Sequence, residues 1–383
     1  MKKFLLSTWV LLSIMFFNTA VKAQYKIFNH NGINRKYIIH LPPLLPPNSP
    51  LVFMLHGYGG TAFNMIDYTG MSEIADANQF AVCYPEGTKD EWGVNCWNLH
   101  YDFQMGMNID DVDFLDSLAV YLQNKHHLDP EKTYCSGHSN GGDMCYMIAC
   151  QDSGTFTAVA AVAGCLMKWI HDSCYNASPI PVFEIHVTED ETTLWNGDLG
   201  NVQGYGPYYG VPFTFDFWTT VNNCQNELID TLPDLDPTDG SIVITQKRVD
   251  GINGNQVWLY KMLGAGHSWP GTGGSGTNMD INTSAEIWSF FQKCTSLTSV
   301  DKTTIFMHTI SLAPNPTKMS VKVILDPFYS KLSYKLHDLT GRTILQGFLN
   351  HKETLLDVSH LSKGAYLLKT NDSSVKVLKI IVE

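Results

Sequence analysis

The chain has 383 residues, long for a single hydrophobic core, so more than one domain is expected. Hydrophobic residues make up 44% and aromatics 12%, a globular composition that argues against a disordered chain. Charge is uneven: residues 24–300 carry 11 Lys and Arg against 30 Asp and Glu, whereas residues 301–383 carry 11 against 7. An acidic body repels polyphosphate, which excludes nucleic acid as a partner, and the tail reads as a separate unit.

Lys2 and Lys3 precede an apolar run from Phe4 to Phe17, followed by Val21-Lys22-Ala23 with small residues around a cut. This predicts a signal peptide over residues 1–23, too short and wrongly flanked for a membrane anchor. No later stretch reaches the roughly 18 apolar residues of a spanning helix, so an exported protein with no membrane span is expected.

From Tyr25, two alternating apolar runs flank Asn31-Gly32 and predict a hairpin. Leu51–Leu55 (LVFML) is a continuous apolar run, as in a strand buried on both faces, and it ends in His56-Gly57-Tyr58-Gly59-Gly60. A helix around Met71–Asn78, a strand Phe80–Tyr84, a helix Asp111–Lys125 and a strand Lys132–Cys135 follow. After Gly142 the segment MCYMIAC reads as an apolar helix, and Phe156–Ala163, Val182–Val187 and Val257–Met262 read as further strands. Strands alternating with helices predict an α/β fold with a mostly parallel sheet and helices on both faces. The stretch Thr192–Tyr209 has no period and is expected to be a lid or cleft wall. Asp234, Asp236 and Asp239 miss the spacing of a calcium loop and read as a solvated acidic turn. A Ser/Thr-rich linker is expected over residues 296–311. Residues 312–383 then show short alternating strands that predict a small all-β sandwich.

Nine cysteines in an exported chain invite disulfides, though the odd number leaves at least one unpaired within the chain. Cys83, Cys135, Cys145 and Cys150 fall in apolar runs and are expected as buried thiols. Cys96, Cys165, Cys174, Cys224 and Cys294 are the bridge candidates, with Cys224–Cys294 the expected pair. No Cys-x-x-Cys spacing occurs, and neither a metal nor a cofactor is expected.

The segment YCSGHSNGGD places Ser139 in a Gly-x-Ser-x-Gly frame between a predicted strand and a predicted helix. That context makes Ser139 a candidate nucleophile on a sharp turn, with Gly137 and Gly141 small because backbone must pass close by. His138 cannot be its base, since adjacent side chains diverge there. It is expected to pack beside the turn and touch substrate. His267, on the glycine-hinged loop LGAGHSWPG after the Val257–Met262 strand, is the expected base. The acid should lie between them in sequence. Asp190 is favoured, with Glu189 and Glu191 as rivals, whereas Asp111 and Asp113 read as helix N-terminal charges. The amides of Asn140 and Tyr58 are the expected oxyanion donors.

The motifs HGYGG, NCWN, DDVDFL, GHSNGGDMCY, IHVTED and GAGHSWPG, in this order across about residues 25–295, resemble the polyhydroxybutyrate depolymerase/feruloyl esterase group of α/β-hydrolases, the esterases of carbohydrate esterase family 1. The resemblance implies an α/β-hydrolase fold and hydrolysis of carboxylic esters by Ser139, Asp190 and His267. Feruloyl or acetyl esters of plant polysaccharide are the first expected substrates and polyhydroxyalkanoate the second. Trp97, Trp195 and Trp269 adjoin the motifs and are candidate substrate-binding aromatics. The tail, with Ala313-Pro314-Asn315-Pro316-Thr317, YKLHDLTGR and LDVSHLSKGAYLLK, is similar to the C-terminal sorting domain of the type IX (Por) secretion system of Bacteroidetes, which implies that machinery as a partner. A surface adhesion protein with an inactive body is the alternative from another class, and the complete triad argues against it.

Overall fold

The computed structural model describes residues 23–151, 154–174, 177–273, 276–296, 311–324, 332–338, 342–349, 353–370 and 378–383. Most of the expected signal peptide, and residues 297–310 of the expected linker, lie outside the described residues.

Strands β1 (Lys26–His30) and β2 (Ile33–His40) form the expected hairpin. Asn31 and Gly32 both take positive φ, 50° and 83°, the pairing that a tight two-residue hairpin turn requires. The sheet continues with β3 (Leu51–Leu55), β4 (Ala81–Pro85), β5 (Thr133–His138), β6 (Ala158–Val162), β7 (Val182–Val187), β8 (Asn226–Thr231), β9 (Ile242–Val249) and β10 (Val257–Leu263). Ten strands lie in the order β1-β2-β4-β3-β5-β6-β7-β10-β9-β8. The run from β4 to β10 is parallel, and the flanking strands are antiparallel. This is the α/β-hydrolase architecture.

Two-residue alternation along the strands makes two cores. Leu51, Phe53 and Leu55 face one side, where they meet α3 (Asp111–His126) and α4 (Asn140–Gln151). Val52 and Met54 face the other, under α1 (Ala62–Thr69), α2 (Met71–Asn78) and the helix Thr283–Ser296. Every residue of β3 is buried, which explains why it reads as an unbroken apolar run.

Asp111 lies in the first turn of α3, where a helix N-terminal charge was expected, and its surroundings are not solvent. It is fully buried against Arg35 at 2.7 Å and accepts the Asn98 N–H at 2.8 Å, while Asp110 caps the helix. The disulfide is Cys150–Cys174, not Cys224–Cys294. Cys224 and Cys294 pack against opposite faces of the central sheet, which separates them, and both are free. Cys150, expected as a buried thiol, is instead bridged: it is the last residue but one of α4, and Cys174 caps α5 (Lys168–Ser173), so these two meet on one face. With 24 residues separating them, the bridge restrains the unfolded chain by about 3 kcal/mol. The Cys150→Ser/Cys174→Ser variant is expected to unfold at a lower temperature by calorimetry, with ester turnover at 25 °C retained.

In the tail, β11 (Ser311–Ala313), β12 (Ser320–Ile324) and β15 (Glu353–Asp357) form one antiparallel sheet. A second contains β13 (Leu332–His337), β14 (Thr343–Leu349), β16 (Gly364–Thr370) and β17 (Leu378–Val382). Val321, Val323, Leu356, Leu368 and Ile380 fill the core they share.

Candidate active site

The nucleophile candidate stands where β5 stops and α4 starts. Ser139 has φ 55°, a left-handed conformation uncommon for a residue with a side chain. Backbone bonds hold it there: its N–H donates to the Val162 carbonyl, and its carbonyl accepts the Asp143 N–H, both at 2.9 Å. The glycines of the frame are steric necessities. A Cβ on Gly137 would lie 2.3 Å from the Gly141 carbonyl oxygen, and one on Gly141 would lie 2.5 Å from that of Leu55. Backbone cannot yield as a flexible side chain does. Gly141→Ala is therefore expected to cost about 3 kcal/mol or more, read as a lowered denaturation midpoint or loss of soluble protein.

His267 follows β10 on the loop where Gly264 and Ala265 take φ 71° and 86°. Its Nδ1 donates to Asp190 Oδ2 at 2.7 Å, which leaves Nε2 to take a proton. Asp190 lies just past β7 and is 3% exposed. Its Oδ1 accepts the Thr192 and Thr193 N–H groups, each at 2.8 Å. Burial raises the affinity of this carboxyl for a proton. The hydrogen bond and charge of His267, with His186 and the Thr193 amide, outweigh it and hold Asp190 below the usual carboxylate range. Glu189 instead accepts the Gly264 N–H through Oε2 at 2.6 Å, and Glu191 accepts the Gln203 amide through its main-chain carbonyl. Of the three acids, Asp190 is the one joined to the imidazole.

Ser139 and His267 both line one cavity of about 440 Å³. Among the described residues no direct hydrogen bond joins them, and contacts of this kind commonly tighten only when substrate binds. His138 lines the cavity too, with its ring 5.0 Å from that of His267 and 5.4 Å from Tyr68. Burial, and then the neighbouring His267, push its pKa down to about 3, so it stays neutral. Asn140 opens α4, where the first N–H groups have no partner within the helix. Tyr58 lines the cavity and donates its hydroxyl to Asp90.

The three candidate tryptophans do not line the cavity. Trp97 and Trp269 are fully buried in the two cores. Trp97 donates its Nε1–H to the His56 carbonyl at 2.8 Å, as a structural prop beneath the site. Trp195 is turned toward Lys261 and His186. The aromatic wall is built instead from Tyr58, Trp92, Tyr101, Phe103 and Tyr205. Phe103 is its hub, with ring centroids 5.5 Å from Tyr58, 5.4 Å from Trp92 and 5.3 Å from Tyr101.

The Thr192–Tyr209 stretch forms a wall, contributing Thr192, Thr193 and Tyr205. It is anchored by short pairings of Tyr208–Tyr209 with Gly197–Asp198 and with Leu166–Met167. Asp143 and Cys165 also line the cavity. Burial pushes the Asp143 carboxyl up to about 6, against the Tyr101 hydroxyl and the Cys165 N–H that it accepts. Among the described residues no cluster of three His, Cys, Asp or Glu is arranged for a metal ion, and no helix is long and apolar enough to cross a membrane.

Residues 35–187 match the family model described as Esterase PHB depolymerase, and residues 311–383 match that of the secretion system C-terminal sorting domain. A bifunctional acetylxylan esterase/xylanase of Neocallimastix patriciarum is 25% identical over 57% of this chain and 31% of its own length. Poly(3-hydroxyalkanoate) depolymerase C of Paucimonas lemoignei is 25% identical over 72% of this chain and 69% of its own. Feruloyl esterase B of Piromyces equi is 28% identical over 50% of this chain and 36% of its own. The chain thus spans about a third of the length of two of these relatives and about two thirds of the other. Within the α/β-hydrolase fold, residues 35–187 are thus similar to the esterase PHB depolymerase family, and residues 311–383 are similar to secretion system C-terminal sorting domains.

Proposed function

We propose that the protein is an exported serine carboxylic-ester hydrolase that works through an acyl-enzyme on Ser139. The observation that carries this reading is a serine held at φ 55° on a strand–helix turn, sharing a cavity with His267, whose other nitrogen is 2.7 Å from the buried Asp190 carboxylate. The Ser139 hydroxyl attacks the ester carbonyl and passes its proton to His267 Nε2. The amides of Asn140 and Tyr58 receive the oxyanion. The intermediate expels the alcohol, which takes the proton from His267. Water then attacks the acyl-enzyme with His267 as base, releasing the acid and restoring Ser139. Asp190 holds the imidazole in its tautomer and stabilises the imidazolium. None of these steps draws on a metal or cofactor.

The aromatic wall favours a flat, ring-bearing acyl group, so a feruloyl-type ester on plant polysaccharide is the substrate put forward first. Acetylated polysaccharide and polyhydroxyalkanoate follow, in keeping with the relatives' names. The sorting domain supports export through the type IX machinery. Product release from feruloylated arabinoxylan, acetylated xylan and polyhydroxybutyrate, measured side by side, tests the choice. Free ferulate is expected to appear fastest. Faster release of acetate or 3-hydroxybutyrate overturns the aryl preference, and no product from any of the three overturns the hydrolase reading.

A further inference from the structure

Between β4 and α3 the chain makes an excursion that supplies no member of the triad. It opens as a tight hairpin in which Thr88–Lys89 pairs with Asn95–Cys96. Gly87 passes so close to the return strand that a Cβ there would lie 2.3 Å from the Cys96 carbonyl oxygen. One side chain organises the hairpin turn. Asp90 is 7% exposed, and its Oδ1 accepts the N–H groups of Trp92 at 3.0 Å and Val94 at 2.9 Å. Its Oδ2 accepts the Tyr58 hydroxyl at 2.5 Å. Burial favours the protonated acid, but these three donors outweigh it and keep Asp90 below the ordinary carboxylate range, hence ionised at neutral pH.

The same hairpin grips the loop that carries Tyr58. The Gly59 N–H donates to the Asn95 carbonyl at 2.8 Å, and Asn95 Nδ2 donates to the Gly60 carbonyl at 3.2 Å. The Gly87 N–H donates to His56 Nε2 at 2.9 Å. Just beyond the hairpin, the Trp97 N–H donates to Asn140 Oδ1 at 2.8 Å, and Asn140 Nδ2 donates to the Trp97 carbonyl at 3.2 Å. Both residues whose amides are assigned to the oxyanion are thereby tied to one short segment. From the turn of that segment Trp92, 61% exposed, reaches the cavity mouth.

We propose that Asp90 is a positioning residue of the oxyanion hole. It holds Tyr58 by its hydroxyl, so that the Tyr58 amide stays aligned with that of Asn140, and it fixes Trp92 as an aromatic lip for the acyl group. The proposal rests on the acyl-transfer reading above. It accounts for a buried carboxylate that the triad does not use, and it separates two tasks of Tyr58, whose ring tip is anchored while its main chain serves the reaction. Alignment of this kind is worth much to a transition state, since displacement of about 1 Å costs up to roughly 100-fold in rate.

The test is a double-mutant cycle on the full-length protein with a p-nitrophenyl aryl ester, with thermal unfolding recorded for each variant. Asp90→Ala and Tyr58→Phe are each expected to lower kcat by roughly 10- to 100-fold with a smaller change in KM. The double variant is expected to be no slower than the slower single one, because both remove the same tether. Asp90→Asn retains an acceptor for the turn and is expected to recover part of kcat. A residue that only stabilises the fold would lower the unfolding temperature without this coupling. Losses that multiply in the double variant, or wild-type kcat in Tyr58→Phe, overturn the proposal. Tyr58→Phe deletes one oxygen from a residue that is 40% exposed, so it decides the matter even where Asp90→Ala does not fold. Equal turnover by wild type and Ser139→Ala overturns the acyl-transfer reading itself. A normal wild-type difference with uncoupled Asp90 and Tyr58 overturns the positioning role alone.

Discussion

Replacing Ser139 with alanine is expected to lower kcat on p-nitrophenyl esters by on the order of 10⁴- to 10⁶-fold and to abolish labelling by a fluorophosphonate probe. The size of the effect follows from what the side chain contributes. In the proposed mechanism Ser139 supplies the oxygen of the covalent intermediate, so its loss leaves only binding and the oxyanion donors to accelerate direct attack by water. Stability should barely change. The strain at φ 55° belongs to the backbone, which Gly137 and Gly141 hold in place, and alanine bears the same Cβ. Turnover within tenfold of wild type, or undiminished probe labelling, would remove Ser139 from the mechanism. Retained folding by calorimetry separates a lost nucleophile from a lost protein.

Why this serine was legible from sequence is a matter of sterics. The elbow demands small residues two positions to either side, and a strand and a helix on its flanks, so the constraint is written in consecutive residues. The same holds for β3, where burial on both faces leaves an uninterrupted apolar run, and for Asn31-Gly32, where positive φ selects residue types. Other features leave no local trace. All six residues of β8 are exposed, so this edge strand carries no inward-facing apolar pattern to read. Asp111 sits in a sequence that reads as helix-capping charge, and its burial depends on Arg35, which arrives from β2, 76 positions away. Cys224 and Cys294 are plausible partners until the sheet is seen to lie between them.

The cavity-lining aromatics show the limit most clearly. Trp97 and Trp269 adjoin the motifs in sequence, yet their rings fill the cores beneath the site. Trp92, Tyr101, Phe103 and Tyr205 come from segments without periodicity, and they converge only because the excursion after β4 and the stretch after β7 pack side by side. The Asp102 N–H donating to the Tyr205 carbonyl at 3.1 Å is one of the bonds that join the two segments. Proximity to a motif proved a poor guide to proximity to the cavity.

Asp190→Asn is expected to lower kcat by roughly 10³- to 10⁴-fold, whereas Glu189→Gln and Glu191→Gln should each stay within tenfold of wild type. The three acids are consecutive and alike in sequence, and their hydrogen bonds differ. Asp190 Oδ2 is 2.7 Å from His267 Nδ1, while Glu189 is engaged with the Gly264 amide and Glu191 offers only its backbone to Gln203. Asparagine keeps the size of the side chain and its Oδ1 acceptor for the Thr192 and Thr193 amides, so the fold of the turn should survive. It loses the charge proposed to stabilise the imidazolium, and it can present an N–H to Nδ1 and select the wrong tautomer. The same carboxylate contributes to stability with a defined sign. Its folded pKa lies below the unfolded value of about 3.9, so its contribution is present above that pH and lost as pH falls through the folded pKa. Acid titration of the unfolding free energy should therefore show a steeper decline below about pH 4 in wild type than in Asp190→Asn. Identical acid profiles, or a Glu189→Gln variant as slow as Asp190→Asn, would transfer the acid's role away from Asp190.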